Sequence, residues 1–355
     1  IIEELVNFKK GVKNMSLTSE QIEARRYTIG GSDMGAILGE NNYKTAYEVW
    51  EEKIEWKTID LSKNKSVVIG NLLEMDLLVK YDKIKGTISR LCETFFHQNH
   101  KFLSANLDGV SICVDEERES NIIEIKTAGA FNKDEWGVSG SQIVPKQYYA
   151  QIAHYMLVTG YNKADIFVGF VDDKVIGEIL CELNSSRQFG VEPDFSKIVD
   201  SMETRLYTFH KDEEMDQLIL DAGVSFYENY MKPWIDHGIK NPPPMDFSNK
   251  SFQDCLKKKY SIVEESEIRL PSEFLEIKRN YISAMIQSKK FDKIVQEEKA
   301  KIIEAMGNNQ KALLNDGTYF SRKMVFRKGF VAKDCEYIKF EMKNSRDSRD
   351  IMGDF

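Results

Sequence analysis

Residues 102–127 read FLSANLDGVSICVDEERESNIIEIKT, and their pattern decides the fold. Two apolar, β-branched runs flank Asp108-Gly109. After an acidic break, a third run from Ile122 to Thr127 sets Glu124 two positions before Lys126. Strand side chains alternate faces, so Ile123 and Ile125 share one face while Ile122, Glu124 and Lys126 project from the other. Apolar residues on both faces predict a strand covered on both sides, with an acid and an amine held inside the protein. If the preceding runs lie beside this strand, Asp108 approaches Glu124, and two carboxylates converge with one lysine. Each piece also has an ordinary reading: Asp-Gly is a common hairpin turn, and Glu-x-Lys on a strand is commonly a solvated pair.

The combination suits a hard divalent cation. Asp108 and Glu124 oxygens, with the backbone carbonyl of Ile125, make a set that Mg²⁺ takes while keeping waters and sharing phosphate oxygens with a substrate. A metal so held acidifies a bound water and stabilises charge on a phosphodiester under attack. Lys126 orients that water or assists its deprotonation.

The rest of the composition bounds this reading. The 355 residues allow two domains, and 42% hydrophobic content supports a sizeable core. No apolar run approaches the length of a membrane span, and the Ile-Ile-Glu-Glu start lacks the regions of a signal peptide, so a cytoplasmic protein without a membrane partner is expected. Cys92, Cys113, Cys181, Cys255 and Cys335 show no Cys-x-x-Cys spacing, which argues against zinc and iron–sulfur sites. A net charge of -8 argues against a protein that coats nucleic acid with a basic surface. One locally basic groove is still enough for phosphate contacts.

Along the chain, residues 1–15 form a lead and Leu17 to Arg26 a helix. In the segment RRYTIGGSDMGAILG, residues 25–39, paired glycines permit a tight turn and Ser32 or Asp33 caps a short helix ending at Gly39. A helix start with a hydroxyl and nearby arginines is a natural phosphate site. Thr45 and Glu48 form a capping box. A helix from about Val67 to Lys83 sets Glu74 on one stripe with Leu77, Leu78 and Tyr81, either aimed at the metal site or reaching water at the stripe's edge. Ala128 to Val144 reads as a loop containing Trp136. Pro145 begins a helix with Gln151, Tyr148, Ile152 and Tyr155 on one face. Strands over Ala164–Phe170 and Val175–Leu183 are expected to complete a mixed sheet, giving an α/β (α+β) core.

A helix from Asp212 to His237, broken by Pro233, leads to Asn241-Pro242-Pro243-Pro244, the candidate boundary between a core over 16–245 and an extension over 246–355. In the extension, Glu273 to Met306 predicts a helical hairpin or coiled-coil arm. A β-hairpin over Thr318–Val331 follows Asn315-Asp316-Gly317, with Arg322, Lys323, Arg327 and Lys328 as a basic cluster that touches DNA or a partner, or is simply solvated.

Taken in order, these signals resemble the YqaJ-type viral recombinase family, close to lambda exonuclease within the PD-(D/E)XK nuclease superfamily. The residues that carry the resemblance are Arg25 and Ser32 in the segment just quoted, Glu74 in GNLLEMD, Asp108 in LDG, Glu124 and Lys126 in EIK, and Gln151 with Tyr155 in the Gln-x-x-x-Tyr helix. It implies a restriction-endonuclease-like core and Mg²⁺ or Mn²⁺ on Asp108 and Glu124, with Glu74 a nearby acid. It also implies water activation by Lys126, and a scissile-end phosphate held by Arg25, or its neighbour Arg26, and Ser32 with support from Gln151. Family members degrade one strand of duplex DNA from its 5′ end and leave a 3′ single strand for a phage annealing protein. Lambda exonuclease encloses DNA in a trimeric ring, which implies a homo-oligomer, although it lacks the long extension of this chain.

Two rival readings use the same residues. A restriction-like or structure-specific endonuclease would cut covalently closed DNA, which an exonuclease cannot. A non-catalytic DNA-end-binding scaffold would recruit partners through the extension, but keeping metal-binding charges buried without a metal is costly.

Overall fold

The computed structural model describes residues 25–55, 64–112, 120–260, 267–316 and 318–322. The expected lead over 1–15, most of the helix over 17–26, Gly317, and the hairpin beyond residue 322 with Lys323, Arg327 and Lys328 lie outside the described residues.

One parallel strand pair sets the architecture. Strand β1 spans Ile88–Arg90, and the short β2 (Phe95–Phe96) and β3 (Ser104–Ala105) pair only with each other. Strand β4 (Gly109–Ile112) lies antiparallel to β5 (Ile122–Gly129), with Gly109 opposite Ile123. β5 runs parallel to β6 (Lys163–Val171), and β7 (Thr204–His210) closes the far edge of a mixed sheet ordered β1-β4-β5-β6-β7. A parallel pair cannot be joined by a tight turn. The helix between β5 and β6 is that crossover, and it delivers its side chains onto the sheet.

Helices α1 (Gly31–Ile37) and α2 (Ala46–Ile54) precede the long α3 (Lys65–Lys85), and the crossover helix is α4 (Lys146–Thr159). Capping explains where they start. Thr45 and Glu48 make the expected box, and the Asn64 side chain accepts the Ser66 and Val67 amides. Gly86, at φ 65°, closes α3 in the left-handed region that suits glycine.

The sheet buries both faces, as its central strand predicts. Ile122, Ile166, Val168 and Tyr207 pack with Ile152 and Met156 of α4 on one side. Ile123, Ile125 and Phe167 pack with Leu73 and Leu77 of α3 on the other. Each such side chain contributes about 1.5–3 kcal/mol on burial. Glu124 and Lys126 therefore face the α4 layer.

Two expectations need correction. Val175 to Leu183 is not a strand but part of α5 (Asp173–Phe189), capped by Asp172, whose carboxylate accepts the Val175 amide, and ended by Gly190 at φ 66°. Buried Val175, Ile179 and Leu183 stand four apart, a helical stripe. The fifth strand is instead β7, which follows the short α6 (Ser196–Ser201). The expected loop over 128–144 begins as the end of β5 and continues as a 3-10 turn, Ala130–Glu135, before buried Trp136.

Helix α7 (Glu213–Phe226) runs through a π-helical turn (Tyr227–Met231) into α8 (Lys232–His237), so the α-helical pattern is interrupted in the turn just before Pro233, which sits in the first turn of α8. The first compact unit continues past the proline run to Lys258. Fully buried Phe252, on α9 (Lys250–Lys259), packs edge-on against Tyr47 at 5.3 Å and so belongs to that unit. The second unit, from Lys259, contains α10 (Phe274–Met306), one uninterrupted helix rather than a helical hairpin. A small antiparallel pair follows, β8 (Lys311–Leu313) and β9 (Tyr319–Ser321). Asn315 and Asp316 lie between these two strands rather than ahead of both. Arg322 donates to the carbonyls of Gly307 and Asn309 beyond the end of α10, a structural use of that cation. No helix among the described residues is long and apolar enough to cross a membrane.

Candidate active site

The β4–β5 register brings the first acid in. Asp108 immediately precedes β4, and its Oδ2 accepts the amide of Ile125 at 2.8 Å. That bond fixes the carboxylate beside Glu124 and Lys126 on β5. From the other layer, α3 comes close because residue 70 is glycine: a Cβ there would lie 3.1 Å from Thr127 Oγ1. One turn on, Glu74 reaches the same cleft, an opening of about 330 Å³ walled by Gly70, Asn71, Glu74, Asp108, Ile125, Lys126 and Tyr148 among others.

Glu124 is 1% exposed, yet its two oxygens differ in their surroundings. Oε1 accepts a hydrogen bond from Gln151 Nε2 at 2.6 Å and contacts the Lys126 ammonium. Oε2 is buried with no hydrogen-bond partner. A second buried acid on the same sheet shows what a structural carboxylate looks like. Asp165 accepts from Tyr81 at 2.7 Å and Thr208 at 2.6 Å and lies 3.3 Å from Lys85 Nζ. Both its oxygens are occupied. An unsatisfied buried carboxylate oxygen costs free energy that folding alone does not return, which marks Glu124 as held for another purpose.

The charges are uncompensated in the same sense. Burial, then the neighbouring Asp108 charge, raises Glu74 to about 7. Burial and the Asp108 charge raise Glu124 as well, against the pull of Lys126. Asp108 is raised by burial despite Lys126 and the Ile125 amide. Burial by itself would lower Lys126, but the Glu124 and Asp108 carboxylates outweigh it and hold the ammonium above the usual lysine range. The ammonium also lies 5.2 Å from the centre of the Tyr148 ring, which Trp136 stacks from 5.4 Å.

Among the described residues, no three His, Cys, Asp or Glu side chains form a cage for a metal ion by themselves. Asp108, Glu124 and the Ile125 backbone carbonyl, with Glu74 on the same cleft, are the residues that would hold such an ion, an oxygen set of the kind Mg²⁺ accepts while keeping its own waters. The orphaned Glu124 Oε2 fits that use.

Gln151 also donates to the Tyr155 hydroxyl at 2.9 Å. Tyr155 in turn lies against α1, where a Cβ at Gly31 would stand 2.5 Å from its ring. A chain of contacts therefore runs from α1 through Tyr155 and Gln151 to Glu124. Ser32 is exposed at the start of α1, and Arg25 is exposed with its charge acting on Tyr155. Neither lines the cleft itself. Arg26 stacks on Trp234 at 4.8 Å, so Arg25 is the arginine turned toward the Tyr155 side. The expected cap is Asp33, whose Oδ2 accepts the Gly30 amide at 3.1 Å and which pairs with Lys44 and Lys53. Asn71 and Tyr148 are wall residues the motifs did not single out. Asn71 stands three residues before Glu74, hence on its helical face, and that spacing is the signal for it.

A mixed sheet flanked by helices, with one acid just before β4 and an acid and a lysine on the neighbouring β5, fits the PD-(D/E)XK core that the motifs resemble. Residues 21–162 match the model of the YqaJ-like viral recombinase domain, in agreement with the resemblance carried by the motifs. The chain is 25% identical over 260 residues to the uncharacterized protein YqaJ of Bacillus subtilis, covering 72% of this chain and 67% of that one. Among solved structures it is similar to an alkaline exonuclease (LHK-Exo) from Laribacter hongkongensis, with 16% identity and a TM-score of 0.42 over 69% of this chain and 98% of that one. It is also similar to a phage-related exonuclease from Haemophilus somnus, with 16% identity and a TM-score of 0.32 over 57% of this chain and 93% of that one.

Proposed function

We propose that this chain is a metal-dependent DNA exonuclease of phage-type recombination. It hydrolyses phosphodiester bonds at the 5′ ends of double-stranded DNA and leaves 3′ single-stranded overhangs for an annealing protein. The observation that carries this reading is the buried, half-satisfied Glu124, clamped on one oxygen by Gln151 and Lys126 beside Asp108. Mg²⁺, or Mn²⁺, held by Asp108, Glu124 and the Ile125 carbonyl with Glu74 nearby, would supply an acidified water and neutralise charge on the phosphodiester.

The chain's own residues do the rest. Gln151 fixes Glu124 so that its second oxygen stays available. Lys126, kept protonated by two carboxylates, orients the attacking water by donating to it and offsets the charge that grows on the phosphate oxygens. Arg25 and Ser32, on the Tyr155 side, hold the terminal phosphate and so select the end of a strand. The water oxygen attacks phosphorus and the P–O3′ bond breaks: the water gives up a proton, the departing O3′ takes one, and the terminal nucleotide leaves with a 3′ hydroxyl while the shortened strand carries the new 5′ phosphate.

Purified protein incubated with linear duplex and with covalently closed circular DNA, each with Mg²⁺ or EDTA, tests the proposal. Mg²⁺-dependent loss of the linear form alone supports it. Cutting of the closed circle would assign the same residues to an endonuclease. Intact DNA of both forms, with Mn²⁺ as well as Mg²⁺, would end the catalytic reading.

A further inference from the structure

Lys126 is held by something besides carboxylates. Its ammonium contacts Glu124 Oε1 and lies 5.2 Å from the centre of the Tyr148 ring. The side chain is still 20% exposed, and it lines the cleft with Asp108 and Glu74. An ammonium has three N–H donors and no acceptor, and one of them serves Glu124. A ring face attracts the cation through its quadrupole and offers no carboxylate lone pair that would capture another N–H. The contact therefore sets where the nitrogen sits and leaves a donor for whatever enters the cleft.

The ring is itself fixed. Tyr148 stands in the first turn of α4, and Trp136 stacks on it at 5.4 Å with 24° between the planes. Buried Trp136 meets Phe170 edge-on at 6.4 Å and lies 5.6 Å from Tyr207. Its backbone is tied to β7 as well. Arg205 Nη1 donates to the carbonyls of Trp136 at 2.9 Å and Gly137 at 3.0 Å, and the Tyr207 hydroxyl donates to the Gly137 carbonyl at 2.5 Å. So β7 holds Trp136, Trp136 holds Tyr148, and Tyr148 lies against Lys126. A tyrosine that served only as core packing would be shut away, whereas Tyr148 is half-buried and forms a wall of the cleft.

We propose that Tyr148 is a positioning residue, whose ring, backed by Trp136, sets the Lys126 ammonium so that one of its N–H groups reaches the attacking water. The effect on rate rests on the nuclease reading of this site, while the placement of Lys126 by the ring does not. Kinetics with Mg²⁺ and spectra in EDTA test the two separately. Tyr148→Leu keeps an apolar side chain and removes the ring. It should lower kcat about 3- to 30-fold, the range of a cation–π contact between surface and interior, and leave KM for linear duplex within about twofold. Tyr148→Phe keeps the ring and should hold kcat within about twofold of wild type. A leucine variant as fast as wild type would overturn the proposal, and a phenylalanine variant as slow as the leucine one would assign the effect to the hydroxyl and overturn it too.

The spectroscopic half uses the full chain labelled with carbon-13 at lysine Cε, the Lys126 signal being the one lost in Lys126→Arg. The ring current of Tyr148 should move the Lys126 ε-protons upfield of the exposed lysines in the wild type and in Tyr148→Phe, and Tyr148→Leu should return them. A Lys126 signal among the exposed lysines in the wild type overturns the proposal, even where the leucine variant fails to fold. A wild type that cuts no DNA ends the nuclease reading and with it the effect on rate, while an upfield Lys126 signal in that same protein still supports its placement by Tyr148. DNA cutting that proceeds alike in wild type and Tyr148→Leu has the reverse meaning: the nuclease reading stands and the positioning role falls.

Discussion

The Ile125 amide donates to Asp108 Oδ2 at 2.8 Å, so the first acid of the site is tied to the backbone of the strand that carries the second. This bond separates the structural role of Asp108 from its charge. Asp108→Asn keeps an acceptor oxygen for the amide and loses the negative charge. It should fold with stability within about 1 kcal/mol of wild type and lose at least ~100-fold in nuclease rate. Asp108→Ala should lose the rate and a further ~1–3 kcal/mol of stability, because the buried amide is left unpaired. Chemical denaturation beside a rate assay checks both, and an active Asp108→Asn protein would remove Asp108 from the chemistry.

Gly31 is required by Tyr155. A methyl group there would stand 2.5 Å from the ring and 3.0 Å from the Gln151 carbonyl, and neither can retreat within a packed layer without moving α1. Gly31→Ala should cost about 1–3 kcal/mol. It should also reduce activity by displacing Tyr155 and Gln151 from Glu124. An alanine variant with wild-type melting temperature and rate would refute this chain of contacts.

The site acids make the metal-free protein less stable as pH rises. Glu74 holds its proton to about 7 in the folded state against an ordinary value of 4.5, so the folded state binds more protons than the unfolded chain between those values. Stability from this group is full below pH 4.5 and declines as pH climbs toward 7. In EDTA, Glu74→Gln should therefore be more stable than wild type at pH 8 by about 1–2 kcal/mol, after discounting for the group's partial exposure, and equal to it near pH 4. Metal binding must displace these protons, so Mg²⁺ protection against melting should strengthen from pH 6 to pH 8. Melting curves across pH with and without Mg²⁺ give the answer.

His154 works in the opposite direction. It is fully buried on α4, with Nε2 against the Ser104 carbonyl at 2.9 Å, and burial holds it to about 4. The folded state thus binds fewer protons than the unfolded chain between pH 4 and the ordinary 6.5, and stability is lost as pH falls through that window. His154→Gln should flatten the acid limb of the stability curve without changing the alkaline limb. An unchanged acid limb would show that His154 does not titrate on unfolding.

The site was legible in the sequence because its signals are local. Glu124 and Lys126 sit on a strand whose alternation states which side chains share a face, Asp108 stands just before the neighbouring strand, and Glu74 and Gln151 sit on otherwise largely apolar helical stripes. The fold was less legible where two patterns compete. Val175 to Leu183 is rich in apolar residues and reads as a strand, but Asp172 before it and Gly190 after it are helix caps that settle the matter. With that segment assigned to the sheet, β7 had no place. Its buried Tyr207 and Phe209 alternate with less buried neighbours over only seven residues, a weak pattern beside a false rival. Asp33 and its two lysines depend on tertiary contacts between α1 and α2 that no spacing announces.

The central claim is that Asp108, Glu124 and Lys126 hydrolyse DNA from a duplex end. Linear duplex labelled at the 5′ or the 3′ terminus, digested with Mg²⁺ by the wild type and by Lys126→Ala, tests it most directly. The account predicts prompt release of 5′-labelled mononucleotide by the wild type, late loss of the 3′ label, and a rate at least ~100-fold lower in the variant. Release of the 3′ label first would reverse the direction, and equal digestion by Lys126→Ala would contradict the site itself.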